Sequence, residues 1–145
     1  MNKNKSRVRE FGETSPFLYY QEALQYYQNA KELLKKSTVK YDRYQDKKFV
    51  RETCGTCYLA VLKAIDGYLV SRGLIRKELP TSTDSYWNLL NKYLTKNGRI
   101  KNAFSTVYEN LHIFGYYRGG TDVDMIKGGF EKAKIIIEVL SGSKL

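Results

Sequence analysis

One stretch in the last third of this 145-residue sequence holds the densest set of side chains able to do chemistry. It carries the only histidine, with a glutamate shortly before it and two tyrosines and an arginine shortly after it. An imidazole titrates near neutral pH and can act as an acid or a base. A guanidinium can hold an anion, and tyrosine rings can stack on a nucleobase. The candidate binding residues are therefore His112, Tyr116, Tyr117, Arg118 and Glu109.

The same residues also admit a structural interpretation. His112 follows Leu111 and lies one step from the apolar stripe of its helix, where a hydrogen-bonded histidine at the core boundary is common. The tyrosines could simply close one end of a helical bundle. No G-x-S-x-G elbow accompanies the single histidine, so the sequence predicts no nucleophilic triad and no catalytic residue. The functional and the structural interpretation both stay open at this point.

Two cysteines form a C-x-x-C motif, which can indicate redox chemistry or half of a zinc site. Cys54 and Cys57 lie in the middle of a predicted helix, whereas redox pairs normally lie at a helix N-terminus. A zinc site needs two more ligands, and one histidine is all that the sequence offers. We expect two small buried side chains with reduced thiols and no metal site. Glycines 115, 119 and 120 do not follow a strand, so no cofactor is expected either.

Composition limits the partners and the compartment. The net charge of +10 favours a polyanionic partner such as nucleic acid, although a solvated surface explains it equally. The 13 tyrosines suit protein interfaces and stacking surfaces. No stretch approaches the roughly 18 apolar residues that a membrane span requires. The basic first residues lead into no apolar segment, so the sequence predicts a cytoplasmic protein.

Apolar residues recur at helical spacing along most of the chain, and only two prolines interrupt it. The pattern predicts an all-α fold, an antiparallel bundle of four main helices and one short helix, with a polar linker at 37–45 and a glycine-rich turn at 115–121. Residues 1–14 read as a flexible basic tail, and 15–145 as the single domain. Gly128 and Gly129 inside the last helix predict close approach of another helix. The expected helices are Pro16–Lys36, Asp46–Arg72, a short one within 83–94, Arg99–Phe114 and one from Thr121 or Asp122 to Ser141.

Two segments carry a resemblance to a known family. The run Leu111–Gly119 (LHIFGYYRG) resembles the end of the penultimate helix of HEPN-like domains, and Ala64–Leu74 (AIDGYLVSRGL) is similar to the end of their central second helix. The layout matches over about residues 16–141. The resemblance implies an up-and-down bundle of four or five helices and a homodimer.

Many HEPN domains are metal-independent ribonucleases with an Arg, four to six residues, and then a His. His112 can be placed on that histidine, but positions 105–107 hold Ser, Thr and Val. Arg99 lies too far upstream, and Arg118 lies on the wrong side. Without that cation the phosphorane-like transition state lacks its stabilising charge. We therefore expect a non-catalytic, self-associating protein that binds a protein or nucleic-acid partner. The alternative is a divergent ribonuclease, or a nucleotide- or RNA-binding module, that uses the His112–Arg118 segment.

Overall fold

The computed structural model describes residues 15–145, so the predicted tail at 1–14 lies outside the described residues. The described part is mostly helical, as the sequence predicts, with one small hairpin of strands β1 (Val39–Lys40) and β2 (Arg43–Tyr44). The α-helices are α1 (Pro16–Lys35), α2 (Lys47–Ser71), α3 (Thr83–Tyr93), α4 (Gly98–Val107) and α5 (Val123–Ser141), with a 3-10 turn at Arg76–Glu78 and a π-helix at Tyr108–Tyr117.

Helix α2 lies at the centre of the fold, as its broad apolar surface predicts. It contacts α1, α5 and the π-helix, and buried residues surround most of its circumference. A helix that is apolar on most sides buries more surface against neighbours than an amphipathic one can. The largest fully buried side chains of the core include Val61, Ile65, Leu69, Leu90, Phe104, Leu111, Ile126 and Ile137.

Several helix ends have side-chain or glycine caps. The Asp46 and Asp122 carboxylates accept hydrogen bonds from the backbone N–H groups at the start of α2 and α5. Gly73, just past the end of α2, has φ of +103°, which glycine adopts without strain. Asn97 caps α4, because its side chain accepts a hydrogen bond from Ile100 N.

The predicted polar linker at 37–45 connects α1 to α2, but it contains a hairpin that the sequence did not predict. Tyr41 and Asp42 form the turn with φ of +53° and +59°, as two-residue hairpin turns require. The hairpin also bonds to the chain around the start of α5: Tyr44 N donates to Thr121 O at 2.9 Å, and Val123 N donates to Asp42 O at 3.1 Å. Two-residue strands are too short to show an alternating pattern, and the turn lacks the usual Asn-Gly or Asp-Gly pair.

The fourth helix does not end at Phe114 as predicted. The chain continues as a π-helix through Tyr117, and at its end Arg118 N donates to Ile113 O, five residues back, at 2.9 Å. Gly115 therefore lies inside a helix and does not begin a turn. A Cβ at this position would lie 2.5 Å from Cys54 Sγ, so the glycine is needed for close approach to α2.

The glycine pair of α5 behaves as predicted at one of its two positions. A Cβ on Gly129 would lie 2.6 Å from Leu111 Cδ2, so the π-helix approaches α5 closely there. A Cβ on Gly128 would make an ordinary contact, 3.6 Å from Asn110 Nδ2. Within residues 15–145, no helix is both long enough and apolar enough to cross a bilayer.

Candidate functional site: an aromatic stack on a π-helix

His112 lies in a stack of aromatic rings that joins α2 to the π-helix. Its ring centroid is 4.5 Å from that of Tyr58, with 23° between the ring planes. Tyr116 follows at 6.0 Å and 16°, and Tyr108 lies at 5.5 Å and 33°. Residues four apart in a helix share one face, which brings Tyr108, His112 and Tyr116 together. We call these four residues the aromatic stack.

Helix α2 contributes the Tyr58 ring to the aromatic stack, and its Gly55 leaves room for the Tyr116 ring. Tyr58 is buried and also lies 6.4 Å from the Phe104 ring, so the stack continues into the core. Gly55 lies one turn before Tyr58, and a Cβ there would be 3.1 Å from Cδ2 of Tyr116. The absence of a side chain at Gly55 therefore lets the Tyr116 ring lie against α2.

Burial determines the protonation state of His112. It lowers the pKa of the imidazole from its ordinary value, because the charged form loses hydration. The lowered pKa favours the neutral ring and makes it a weaker base than a free histidine. Together with the ring contacts, this favours packing over proton transfer as the role of His112.

A cation that the sequence analysis missed lies at the end of the π-helix. Arg51 of α2 donates from Nε to Tyr116 O at 3.0 Å and from an Nη to Tyr117 O at 2.9 Å. The last carbonyls of a helix have no partner within it, and a positive charge there is favourable. Arg51 therefore fixes the backbone on which Tyr116 and Tyr117 are held.

The structure brings only part of the predicted set together. His112 and Tyr116 are in the aromatic stack, and Tyr116 is 49% exposed. Tyr117 is 68% exposed, and Glu109 and Arg118 are also exposed. These three are therefore surface residues of the π-helix and of the position that follows it. We call the exposed residues Glu109, Tyr116, Tyr117 and Arg118 the aromatic face.

Sequence reasoning missed Tyr58, Tyr108 and Arg51. Tyr108 could have been found, since it precedes His112 by four residues on the same predicted helix. Tyr58 was assigned to the apolar surface of the second helix, and no pattern connects it to His112. Arg51 lies on another helix, far from His112 in sequence, and no spacing pattern connects the two.

The two cysteines are buried and free, as expected for packing side chains. Burial raises the pKa of the Cys54 thiol to about 12 and that of Cys57 well above its ordinary value. Thiolate is the reactive form, so both thiols are held unreactive at neutral pH. Among the described residues, no group of three or more His, Cys, Asp and Glu side chains is placed to hold a metal ion.

A buried hydrogen bond links α2 to α3. Tyr86 Oη donates to Asp66 Oδ1 at 2.8 Å, and both residues are buried. Desolvation raises the pKa of the Asp66 carboxyl to about 6, although the hydrogen bond from Tyr86 and the nearby Lys63 lower it. Because the hydrogen bond joins two helices and both residues are buried, we regard the pair as a structural link.

The chain is similar to proteins whose descriptions name no ligand and no reaction. The profile of DUF5618, described as a domain of unknown function, matches residues 19–142. Among solved structures, a protein of unknown function from Dyadobacter fermentans is 33% identical, with a TM-score of 0.73. The similarity covers 88% of this chain and 98% of that chain. No curated protein matches the chain.

Proposed function

The chain belongs to the DUF5618 family, and we propose that it is a non-catalytic, HEPN-like binding protein that self-associates through the aromatic face. The observation that carries the proposal is the exposure of Tyr116 and Tyr117, 49% and 68%, at the end of a helix whose other rings are packed. In this proposal α1, α2, the α4–π-helix unit and α5 are the four main helices of an up-and-down bundle, and α3 is the short one. The buried free thiols accord with a cytoplasmic protein.

The environment of His112 supports binding over catalysis. Its pKa is lowered, and its ring packs against Tyr58 and Tyr116. One of the cations at this end of the helix, Arg51, already donates from its guanidinium to two backbone carbonyls. A guanidinium committed in this way is poorly placed to stabilise a developing negative charge on a substrate.

The chemistry of the aromatic face supports self-association. Tyrosine provides a large contact area with few rotatable bonds, and it is enriched at interfaces and their hot spots. Glu109 and Arg118 are exposed at opposite ends of the π-helix. In a two-fold dimer with antiparallel π-helices, each Glu109 would face the partner's Arg118, so the surface would be complementary to itself.

Sedimentation or light scattering over a wide concentration range tests this proposal. We expect the wild-type chain to form a dimer. Tyr117→Ala should weaken the dimer by about tenfold or more, since a central interface tyrosine contributes more than about 1 kcal/mol. The matched control is Phe17→Ala at the start of α1, where the side chain is 66% exposed, nearly the same as Tyr117. A chain that stays monomeric at the highest concentration contradicts the proposal.

The exposed tyrosines beside Arg118 also favour a second candidate function, RNA binding or cleavage, because rings next to a cation can stack on bases. Incubation with a mixed RNA pool at two salt concentrations distinguishes the two candidates. Cleavage that is lost in His112→Ala would support a divergent ribonuclease. Salt-sensitive binding without cleavage would support an RNA-binding module. If neither is observed, the aromatic face is left as a protein interface.

A further inference from the structure

A groove between α1, the hairpin and α5 lies apart from the aromatic face, and we propose that it binds a small amphipathic anion. The ligand class is an organic molecule with an apolar body and one phosphate or carboxylate group. The groove has a volume of about 470 Å³, within the range of small-molecule sites. It shares no residue with the aromatic stack or the aromatic face, so the inference goes beyond the proposed function. We call it the cationic groove.

The charge of the groove points to an anion. Its lining holds four ammonium groups, from Lys31 and Lys35 of α1 and from Lys127 and Lys134 of α5, against one carboxylate, Glu131. Among residues 15–145 one ion pair within 4 Å is formed, between Lys63 and Glu22, so the four lysines lack a carboxylate partner there. Like charges that converge without a counter-charge repel one another, and a bound anion relieves that repulsion.

The spacing of these lysines brings them to one place. Lys31 and Lys35 are four residues apart, and Lys127 and Lys134 are seven apart, so each pair lies on one face of its helix. The two faces meet across the groove because α1 packs against α5 there, with the rings of Tyr27 and Phe130 6.2 Å apart. The four lysine ammonium groups therefore all contribute positive potential inside the cationic groove.

The floor of the groove is apolar, which favours a ligand with an apolar body. Tyr27, Leu34, Tyr44 and Phe130 form it, and Val39 of the hairpin stands half-exposed at the edge. The rings of this floor are nearly buried and expose only a small area to the groove, whereas single-stranded nucleic acid binds by stacking bases on exposed rings. The floor thus favours a small molecule over an RNA strand.

The N-terminal residues of the chain do not suit this groove. Residues 1–14 carry four Lys or Arg and two Glu, so their net charge has the same sign as that of the groove. A separate anionic molecule is the complementary occupant.

The test uses full-length protein and two fluorescent probes that differ by one charged group. These are 8-anilinonaphthalene-1-sulfonate, which is anionic, and N-phenyl-1-naphthylamine, which lacks the sulfonate. We expect the anionic probe to saturate one site and the neutral analogue to bind at least tenfold more weakly. Lys31→Gln/Lys134→Gln should weaken binding of the anionic probe by about tenfold, since two nearby charges are removed.

Matched variants show whether the effect belongs to the groove. Lys48→Gln/Lys96→Gln removes two exposed lysines elsewhere and should leave binding unchanged. Val39→Glu places a carboxylate at the edge of the groove on an exposed side chain, and it should weaken binding without unfolding the protein. Unchanged near-ultraviolet circular dichroism establishes that each variant is folded.

Several results would overturn the proposal. The first is that Lys31→Gln/Lys134→Gln and Val39→Glu bind the anionic probe as tightly as the wild type does. Equal affinity of the wild type for the two probes is another, since it would mark a site without charge preference. Octanoate and octyl phosphate should displace the probe and show which anionic group is preferred. Displacement by neither, or displacement by polyglutamate or RNA at far lower concentration, would also contradict a small-molecule site.

Discussion

The ring of His112 lies 4.5 Å from the ring of Tyr58, nearly parallel to it, and so joins the π-helix to the central helix α2. At this position the single histidine of the chain contributes the contact area of its ring as well as its two nitrogens. A neutral imidazole can stack on a phenol ring without the loss of hydration that a charged one would suffer. Aromatic packing and a lowered pKa are therefore two results of the same position.

The first prediction separates the ring of His112 from its nitrogens. His112→Ala should lower the free energy of unfolding by about 1–2 kcal/mol, because it removes aromatic contacts on both sides. His112→Phe keeps a ring of similar size and should stay within about 1 kcal/mol of the wild type. Urea unfolding at pH 7.5 measures both. Equal stability of the Ala variant and the wild type would show that the stack contributes nothing.

The second prediction concerns Arg51, which bonds to the last carbonyls of the π-helix. Lysine keeps the charge but lacks the planar fork, so Arg51→Lys should lose one of the two bonds, worth about 1–2 kcal/mol. We expect faster hydrogen exchange at residues 113–120 and little change in α1. Arg99→Lys, at an exposed position, is the matched control. A uniform rise in exchange over the whole chain would argue against a local role.

The third prediction concerns the close approach at Gly115. Gly115→Ala places a Cβ 2.5 Å from Cys54 Sγ and should destabilise the fold by about 1–3 kcal/mol. Gly98→Ala, where a Cβ meets nothing within 4 Å, should be nearly neutral. Adding Cys54→Ala to Gly115→Ala should recover part of the loss, with a coupling of at least about 0.5 kcal/mol. Strictly additive effects in denaturant unfolding would mean that the two sites do not touch.

The fourth prediction is a pH dependence that belongs to Asp66. Burial raises its pKa in the folded state from 3.8 to about 6, so the folded state holds this proton more tightly than the unfolded state. The stabilisation is fully present below pH 3.8 and is lost as pH rises through about 6. Asp66→Asn stays neutral and should remove this slope. At pH 8 the variant should exceed the wild type in stability by roughly 2 kcal/mol.

The measurement for Asp66 is urea unfolding of both proteins at several pH values from 4 to 8. His112 acts with the opposite sign, because its lowered pKa makes the fold less stable as pH falls below about 6.5. The difference between wild type and Asp66→Asn cancels that contribution. A difference that does not vary with pH would show that the Asp66 pKa is the same in the folded and unfolded states.

The helices could be read from the sequence because their signals are local. Ser15-Pro16, Gly73 and Asp122 mark helix ends by their own backbone and side-chain preferences, and the structure has the ends within a residue or two. The apolar period of the second helix likewise predicted its central position. Such signals depend only on residues close in sequence, so they can be recognised without knowledge of the fold.

The parts that the sequence did not predict depend on contacts between distant residues. Gly115 looks like a helix terminator until Cys54 is known to lie against it. Arg51 is 65 residues from Tyr116, so no spacing rule connects them. Of the candidate site, His112 and Tyr116 were grouped because they lie close in sequence, but Tyr116 was expected in a glycine-rich turn and lies on the same helix as His112. Tyr58 is brought to them by packing between helices, which periodicity does not encode.

The small hairpin has a consequence for how the chain folds. Its bonds from Tyr44 to Thr121 and from Val123 to Asp42 close a loop that contains α2, α3, α4 and the π-helix. Closing such a loop has an entropic cost that must be met before the contact contributes any stability. We therefore expect the hairpin to form its bonds with residues 121–123 late, after the enclosed helices have packed. These bonds would then form last in folding, and their breaking would be an early step of unfolding.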